Sequence, residues 1–141
     1  MGRSSALAAN REVVVRFYRE LWNAWRLELV DEIVAPEVRF RGSLGQTCEG
    51  RAQFRSYVED VRRAFPDWHN SIDELIPCAD RVVVRLTCTG THLGRLGQLE
   101  ATGARVSYVA VAILAITGGQ IREGWVVGDT QELWRSIGKL R

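Results

Sequence analysis

The sequence predicts an α+β fold, with helices gathered in the first half of the chain and a long antiparallel sheet in the second. Three observations carry this. Apolar residues recur at spacings of three and four before Pro66, which lines up one face of a helix. After Pro66 the period falls to two, in segments rich in Val, Ile, Thr and aromatic residues. The strand-like segments follow the helices instead of alternating with them, an order that suits helices laid on an antiparallel meander.

Residues 10–26 form the first expected helix, with Asn10 as its cap and Val14, Phe17, Leu21 and Trp25 on one face. Leu27, Val30, Ile33 and Val34 continue as a short second helix that Pro36 stops. "EVRFRG" alternates briefly and breaks at Gly42, a short strand. From Glu49 to Phe65 the set Phe54, Tyr57, Val58, Val61 and Phe65 gives a third helix, closed by Pro66. Four strands follow: "DWHNSIDELI", "DRVVVRLTCTGTH", "RVSYVAVAILAI" and "QIREGWVVG". The last two are joined by "TGGQ" at 117–120, a strong hairpin signal. A final helix opens at Asp129 and carries Leu133, Trp134 and Ile137 on its apolar face.

Composition narrows the function classes. With 141 residues, 46% of them hydrophobic, the chain reads as one domain over 1–141, its first nine residues a flexible N-terminus. The net charge of +2 is small and the basic residues are scattered, so the footprint of a nucleic-acid binder is missing. "MGRSSALAANR" is too short an apolar run for an export signal, and Val106 to Ile116 falls well short of the ~20 residues that span a bilayer. Cys48, Cys78 and Cys88 are odd in number and without a CxxC, which suits reduced thiols in the cytoplasm.

The third strand is apolar on both sides. Tyr108, Ala110, Ala112 and Leu114 point one way, and Val109, Val111, Ile113 and Ala115 the other. A sheet with helices on one side has a polar outer face, so an apolar one predicts a second sheet against it, most simply in a homodimer. Ala110 and Ala112, opposite helices rich in bulky aromatics, either pack small against large or leave a hollow.

Reactive groups are few. His69 and His92 lack metal-ligand spacing, no GxGxxG opens a helix, and no GxSxG elbow or Cys/His pair is visible. Asp129 begins "DTQE", the capping-box pattern with Asp in place of Ser or Thr, so it reads as a helix cap or as an acid at the sheet's end. His69 beside Trp68 reads as a rim residue or a base.

"VRFYRELWNA", "VDEIVAPEV", "EGRAQFRSYVEDVRRAFPDW", "DRVVVRLTCTGTHLG" and "GGQIREGWVVGD" together resemble the SnoaL-like polyketide cyclases of the NTF2-like fold. The resemblance runs from about residue 10 to the end of the chain. It implies a cone-shaped α+β barrel, helices on a curved sheet, with a deep apolar cavity for a polycyclic substrate. It also implies where cyclase chemistry would sit: the acid/base Asp falls on Val126, the His on Ala112, its partner Gln on Ala110 and an Asn on Phe40. Each position is apolar here, while Asp129 matches the family's second Asp.

The branch implied is therefore the hydroxylases that act on anthracycline-type polyketides in antibiotic biosynthesis with O₂ as co-substrate and no metal or flavin. A separate reductase would supply the reduced substrate. The expected substrate-binding set is Tyr18, Trp22, Phe40, Trp68, Leu86, Tyr108, Ala110, Ala112 and Val126, with Asp129 and His69 as the candidates for proton transfer. A cyclase with a different acid, or a non-catalytic ligand-binding dimer, stays open beside this reading.

Overall fold

The computed structural model describes residues 2–138; the ends of the expected 1–141 domain, residue 1 and residues 139–141, lie outside it. Helix α1 spans Arg3–Arg16 and starts well before Asn10, so residues 3–9 are helical and not a flexible arm. The reason is local: Ala6, Leu7, Ala8 and Ala9 are strong helix formers, and no Pro or Gly interrupts them. Asn10 is consequently interior to the helix, and its side-chain amide donates to the Ala79 carbonyl at 3.4 Å instead of capping.

The same helix widens into a π-helical stretch at Phe17–Trp22, closed by the Asn23 N–H on the Tyr18 carbonyl at 2.9 Å. An extra residue per turn is rare and concentrates at functional sites. Here it turns Phe17, Tyr18, Leu21 and Trp22 all into the interior. A 3₁₀ turn at Leu27–Leu29 and the single-turn α2, Val30–Ile33, lead directly into β1, Val34–Arg41. Pro36 therefore stops no helix; it stands inside the strand. It is tolerated because β1 pairs with its neighbour at Val34 and again from Arg39, with a register shift between, so no ladder N–H is needed at residue 36.

After β2 (Thr47–Glu49) and α3 (Gly50–Ala64), the four expected strands appear as β3 (His69–Cys78), β4 (Arg81–Thr91), β5 (Arg105–Thr117) and β6 (Gln120–Gly128). They form the meander β3-β4-β5-β6, and the six-stranded sheet runs β2-β1-β6-β5-β4-β3. One pairing, β1 with β6, is parallel, so the sheet is mixed, and it stays open instead of closing into a barrel. The β5–β6 turn has Gly118 at φ +58° and Gly119 at φ +78°, the left-handed pair that a tight hairpin requires. Both edges are interrupted: β2 is only three residues long, and β3 carries a bulge between Ile72 and Glu74 and a proline at 77.

Helices cover one face of the sheet. Along β5 burial alternates strictly from Arg105 to Leu114: Val106, Tyr108, Ala110, Ala112 and Leu114 face the helices, and Val109, Val111 and Ile113 face outward. Ala115 borders the outer groove with Ile113 and Trp125, on the expected side, yet is only 2% exposed; the β5–β6 register slips just beyond it, and Ile116 is buried in the core. On β6, Trp125 and Val127 lie opposite Ile113 and Val111 and extend the exposed apolar band. Among the described residues no helix is long and apolar enough to cross a membrane.

The last helix, α4, spans Thr130–Ser136 with Asp129 at its N-cap position, yet the Asp129 side chain makes no cap hydrogen bond. Its backbone at ψ 67° is away from the extended conformation of a capping residue, and only its backbone is engaged: the N–H donates to the Val109 carbonyl at 2.9 Å and the carbonyl accepts from the Glu132 N–H at 3.2 Å. The expected capping box is not formed.

Candidate active site

Between the helices and the inner face of the sheet lies a narrow cavity with about 50 Å³ of free space. Tyr18 and Trp22 of the π-helical stretch form one wall, Tyr57 and Val61 of α3 another. Phe40, Leu86, Cys88, Tyr108 and Val126 come from the inner face of β1, β4, β5 and β6, while Trp68 and Asn70 flank the start of β3. The aromatic rings of its wall pack against one another, with centroids 5.8 Å apart and edge-to-face for Trp22 and Tyr57, 6.1 Å for Phe40 and Tyr57, and 6.0 Å for Trp68 and Tyr108, so the slot they bound is narrow.

Two glycines make room for this wall. A side chain at Gly42 would overlap the Tyr57 phenol, and one at Gly124 would overlap the Phe40 ring. The mouth end is tied down by Asn23, which follows the π-helical stretch. Its side chain donates to the Asn70 carbonyl and accepts from the Asn70 N–H, both at 2.8 Å, locking that stretch to β3.

The chain's three tyrosines, Tyr18, Tyr57 and Tyr108, all line this cavity. Burial pushes each phenol above its ordinary range, and it pushes the Cys88 thiol up to about 12. All four groups therefore stay protonated at neutral pH. Tyr108 and Ser43 share a hydrogen bond at 2.7 Å, and the Cys88 thiol points at Asn70 Oδ1 at 3.5 Å. No carboxylate, imidazole, ammonium or guanidinium belongs to the lining. The surface is apolar, studded with neutral donors and weak acids, and carries no base.

Seven of the residues expected at the substrate line it: Tyr18, Trp22, Phe40, Trp68, Leu86, Tyr108 and Val126. Ala110 and Ala112 do not. Both are buried, at 2% and 0% exposure, but neither borders the cavity; small side chains packed against large ones leave no void there. His69 and Asp129 are also elsewhere. His69 opens β3 on its exposed side, paired with Thr89, and it is Asn70, the next residue along, that faces inward. Asp129 is exposed on the opposite side of the sheet, bordering a shallow groove with Arg85, Val109, Val111 and Val127. Neither can reach a molecule in the slot.

The lining residues with polar side chains that the sequence does not single out are Ser43, Tyr57, Asn70 and Cys88. Cys88 was within reach, since it lies two residues from Leu86 on a strand and must share its face. Tyr57 belongs to the apolar stripe of α3, where nothing in the pattern separates a cavity wall from a packed core.

A helix-covered cup on an open, curved mixed sheet with an aromatic slot between the layers defines the NTF2-like fold. Within that class the chain belongs to the SnoaL-like polyketide cyclase family, whose model matches residues 12–137. Among curated proteins, none matches this sequence. Several solved structures do. A candidate SnoaL-like polyketide cyclase from Jannaschia sp. CCS1 superposes with a TM-score of 0.89 at 23% identity, covering 100% of this chain and 99% of that one. AclR, a candidate hydroxylase from Streptomyces galilaeus, gives 0.82 at 27% identity over 96% of this chain and 88% of its own. TsrD from Streptomyces laurentii gives 0.83 at 23% identity, covering 99% of both.

Proposed function

We propose that the protein hydroxylates a reduced aromatic polyketide of the anthracycline type in antibiotic biosynthesis, with O₂ as co-substrate and no resident cofactor. The observation that carries this reading is the lining: an aromatic slot with neutral donors and no group able to take up a proton at neutral pH. Aldol ring closure needs such a group, and general acid–base help is worth ~10²–10⁴-fold. Val126 stands in the slot where the cyclases carry their acid, and Ala112, paired with it across β5 and β6, stands where they carry the histidine.

A substrate that supplies its own electrons asks less of the protein. A hydroquinone-type ring gives two electrons and two protons to O₂; one oxygen atom stays on the ring, the other leaves as water, and the ring ends as a hydroxylated quinone. A separate reductase provides the reduced ring. The slot's part is to hold the rings against its aromatic wall, Trp22, Tyr57 and Trp68, and to keep bulk water from the reacting carbon. The likeness to AclR supports this branch of the family.

The test is single turnover of a reduced hydroxyanthraquinone under isotopically heavy O₂, followed by mass spectrometry. Incorporation of one heavy oxygen at a protein-dependent rate is expected. Mass-neutral ring closure of an open-chain polyketone without oxygen uptake would mean a cyclase, and an unchanged rate without protein would remove the activity.

We also infer that a second copy of the chain covers the outer face. Val109 and Val127 are 52% and 47% exposed there beside Val111, Ile113 and Trp125, a contiguous apolar band on adjacent strands. Arginines flank the band at 39, 41, 81 and 85, with Glu123 and Asp129 among them, so a twofold arrangement can oppose unlike charges at its rim. The three free cysteines suit the reducing cytoplasm as the setting.

A further inference from the structure

Two hydrogen-bond donors in the cavity wall have no partner among the described residues. The Tyr18 hydroxyl and the Trp22 indole N–H are buried and bond to no protein atom, although their residues are only 3% and 5% exposed. Leaving a buried donor unsatisfied is destabilising, so two such groups within one stretch of helix need an explanation. The neighbouring polar groups are engaged with one another: Ser43 with Tyr108, Cys88 with Asn70, and Asn70 with Asn23. An indole N–H can only donate, so whatever satisfies Trp22 is an acceptor. No cation lines the cavity, so a carboxylate brought there would sit buried with its charge unbalanced.

We propose that Tyr18 and Trp22 are the specificity-determining donors of the slot, selecting a neutral polycyclic ketone or quinone through its carbonyl oxygens and rejecting the corresponding carboxylic acid. This rests on the reading of the cavity as the site for an aromatic polyketide and adds which chemical form of it is taken. The π-helical turn is what makes the pair possible, because it turns both side chains inward beside Phe17 and Leu21.

Equilibrium dialysis with three probes tests it: anthraquinone, anthracene and anthraquinone-2-carboxylate. The wild-type protein binds the quinone more tightly than the hydrocarbon and the carboxylate most weakly. Tyr18→Phe and Trp22→Phe each lower the quinone-to-anthracene affinity ratio by about 3- to 10-fold, one neutral hydrogen bond each, while leaving anthracene binding within about twofold for Tyr18→Phe. Tyr18→Phe also keeps or raises the melting temperature of the unliganded protein, because the hydroxyl it removes has no partner to lose. An unchanged ratio in both variants, or a carboxylate bound as tightly as the quinone, overturns the inference while the cavity reading stands. If neither quinone nor anthracene binds, the cavity reading falls and takes the inference with it. If the ratio shifts as expected and no oxygen is transferred to a reduced substrate, only the hydroxylase reading falls.

Discussion

Raising the pH should unfold this protein abruptly, and the cavity is the cause. Tyr18, Tyr57, Tyr108 and Cys88 are all held protonated by burial, with folded-state values above those of the unfolded chain. For an acid shifted upward, the neutral form is the one the fold tolerates. Below the unfolded values both states are protonated and nothing is gained or lost. Above them the unfolded chain releases protons that the folded chain retains, so stability falls as pH rises.

At about pH 11 each phenol is one unit above its ordinary value near 10 and contributes ~1.4 kcal/mol of destabilisation, and the thiol, ordinarily near 8.5, contributes ~3 kcal/mol. Together that is on the order of 7 kcal/mol, comparable with the whole stability of a small domain. Lysine titration adds almost nothing, since Lys139 is the chain's single lysine and its other basic residues are arginines. The assay is ultraviolet absorbance of tyrosinate together with far-ultraviolet circular dichroism along a pH ramp. All three tyrosines should stay silent through their normal range, then ionise in one cooperative step that coincides with loss of dichroism. Gradual ionisation of even one tyrosine near pH 10 with the fold intact would refute the reasoning, because it would put that phenol in contact with water.

Further outcomes are expected of single substitutions. Val111→Glu places an unpaired charge in the centre of the outer apolar band; sedimentation should show a dimer for the parent protein and a monomer for the variant, and a monomeric parent removes the proposed interface. Asp129→Asn and Asp129→Ala should both leave turnover within about twofold and stability within ~0.5 kcal/mol, because the carboxylate is exposed and caps nothing; a stable, inactive Asn variant would return proton transfer to this residue. Ala112→Trp should lower stability by ~3 kcal/mol or more in chemical denaturation, since the position is fully buried and borders no void; a stable variant that fails to bind ligand would move the cavity towards β5.

The sheet was easy to read from the chain because its signal is local. Alternation in "RVSYVAVAILAI" sets which side chains face the helices, and the twin glycines at 118 and 119 set the turn. Features that depend on what lies across the core were not visible. The π-helical stretch at Phe17–Trp22 has the same spacing of apolar residues as an ordinary helix, so its wider turn leaves no mark in the pattern. Pro36 stops a helix by rule, and only the slipped pairing with β6 makes it harmless in a strand. Ala110 and Ala112 suggest room because they are small. Room is a property of the opposite wall as well, and the space opened where Tyr57 stands over Gly42. Asp129 fits the capping pattern in type and spacing, but its backbone angle aims the carboxylate elsewhere.

The sheet's interrupted edges decide how copies of this chain can meet. An open sheet exposes unpaired N–H and C=O groups at both ends, and neighbouring molecules can zip onto them without limit into fibrous aggregates. Here one end is a strand of three residues and the other is broken by a bulge, by Pro77 and by the exposed carboxylates of Asp73 and Glu74. Growth by strand addition is thus blocked at either end, while the broad apolar face stays available. A chain built this way can expose a sticky surface and still assemble to a finite size, since face-to-face contact consumes the surface it uses and edge-to-edge contact would renew it.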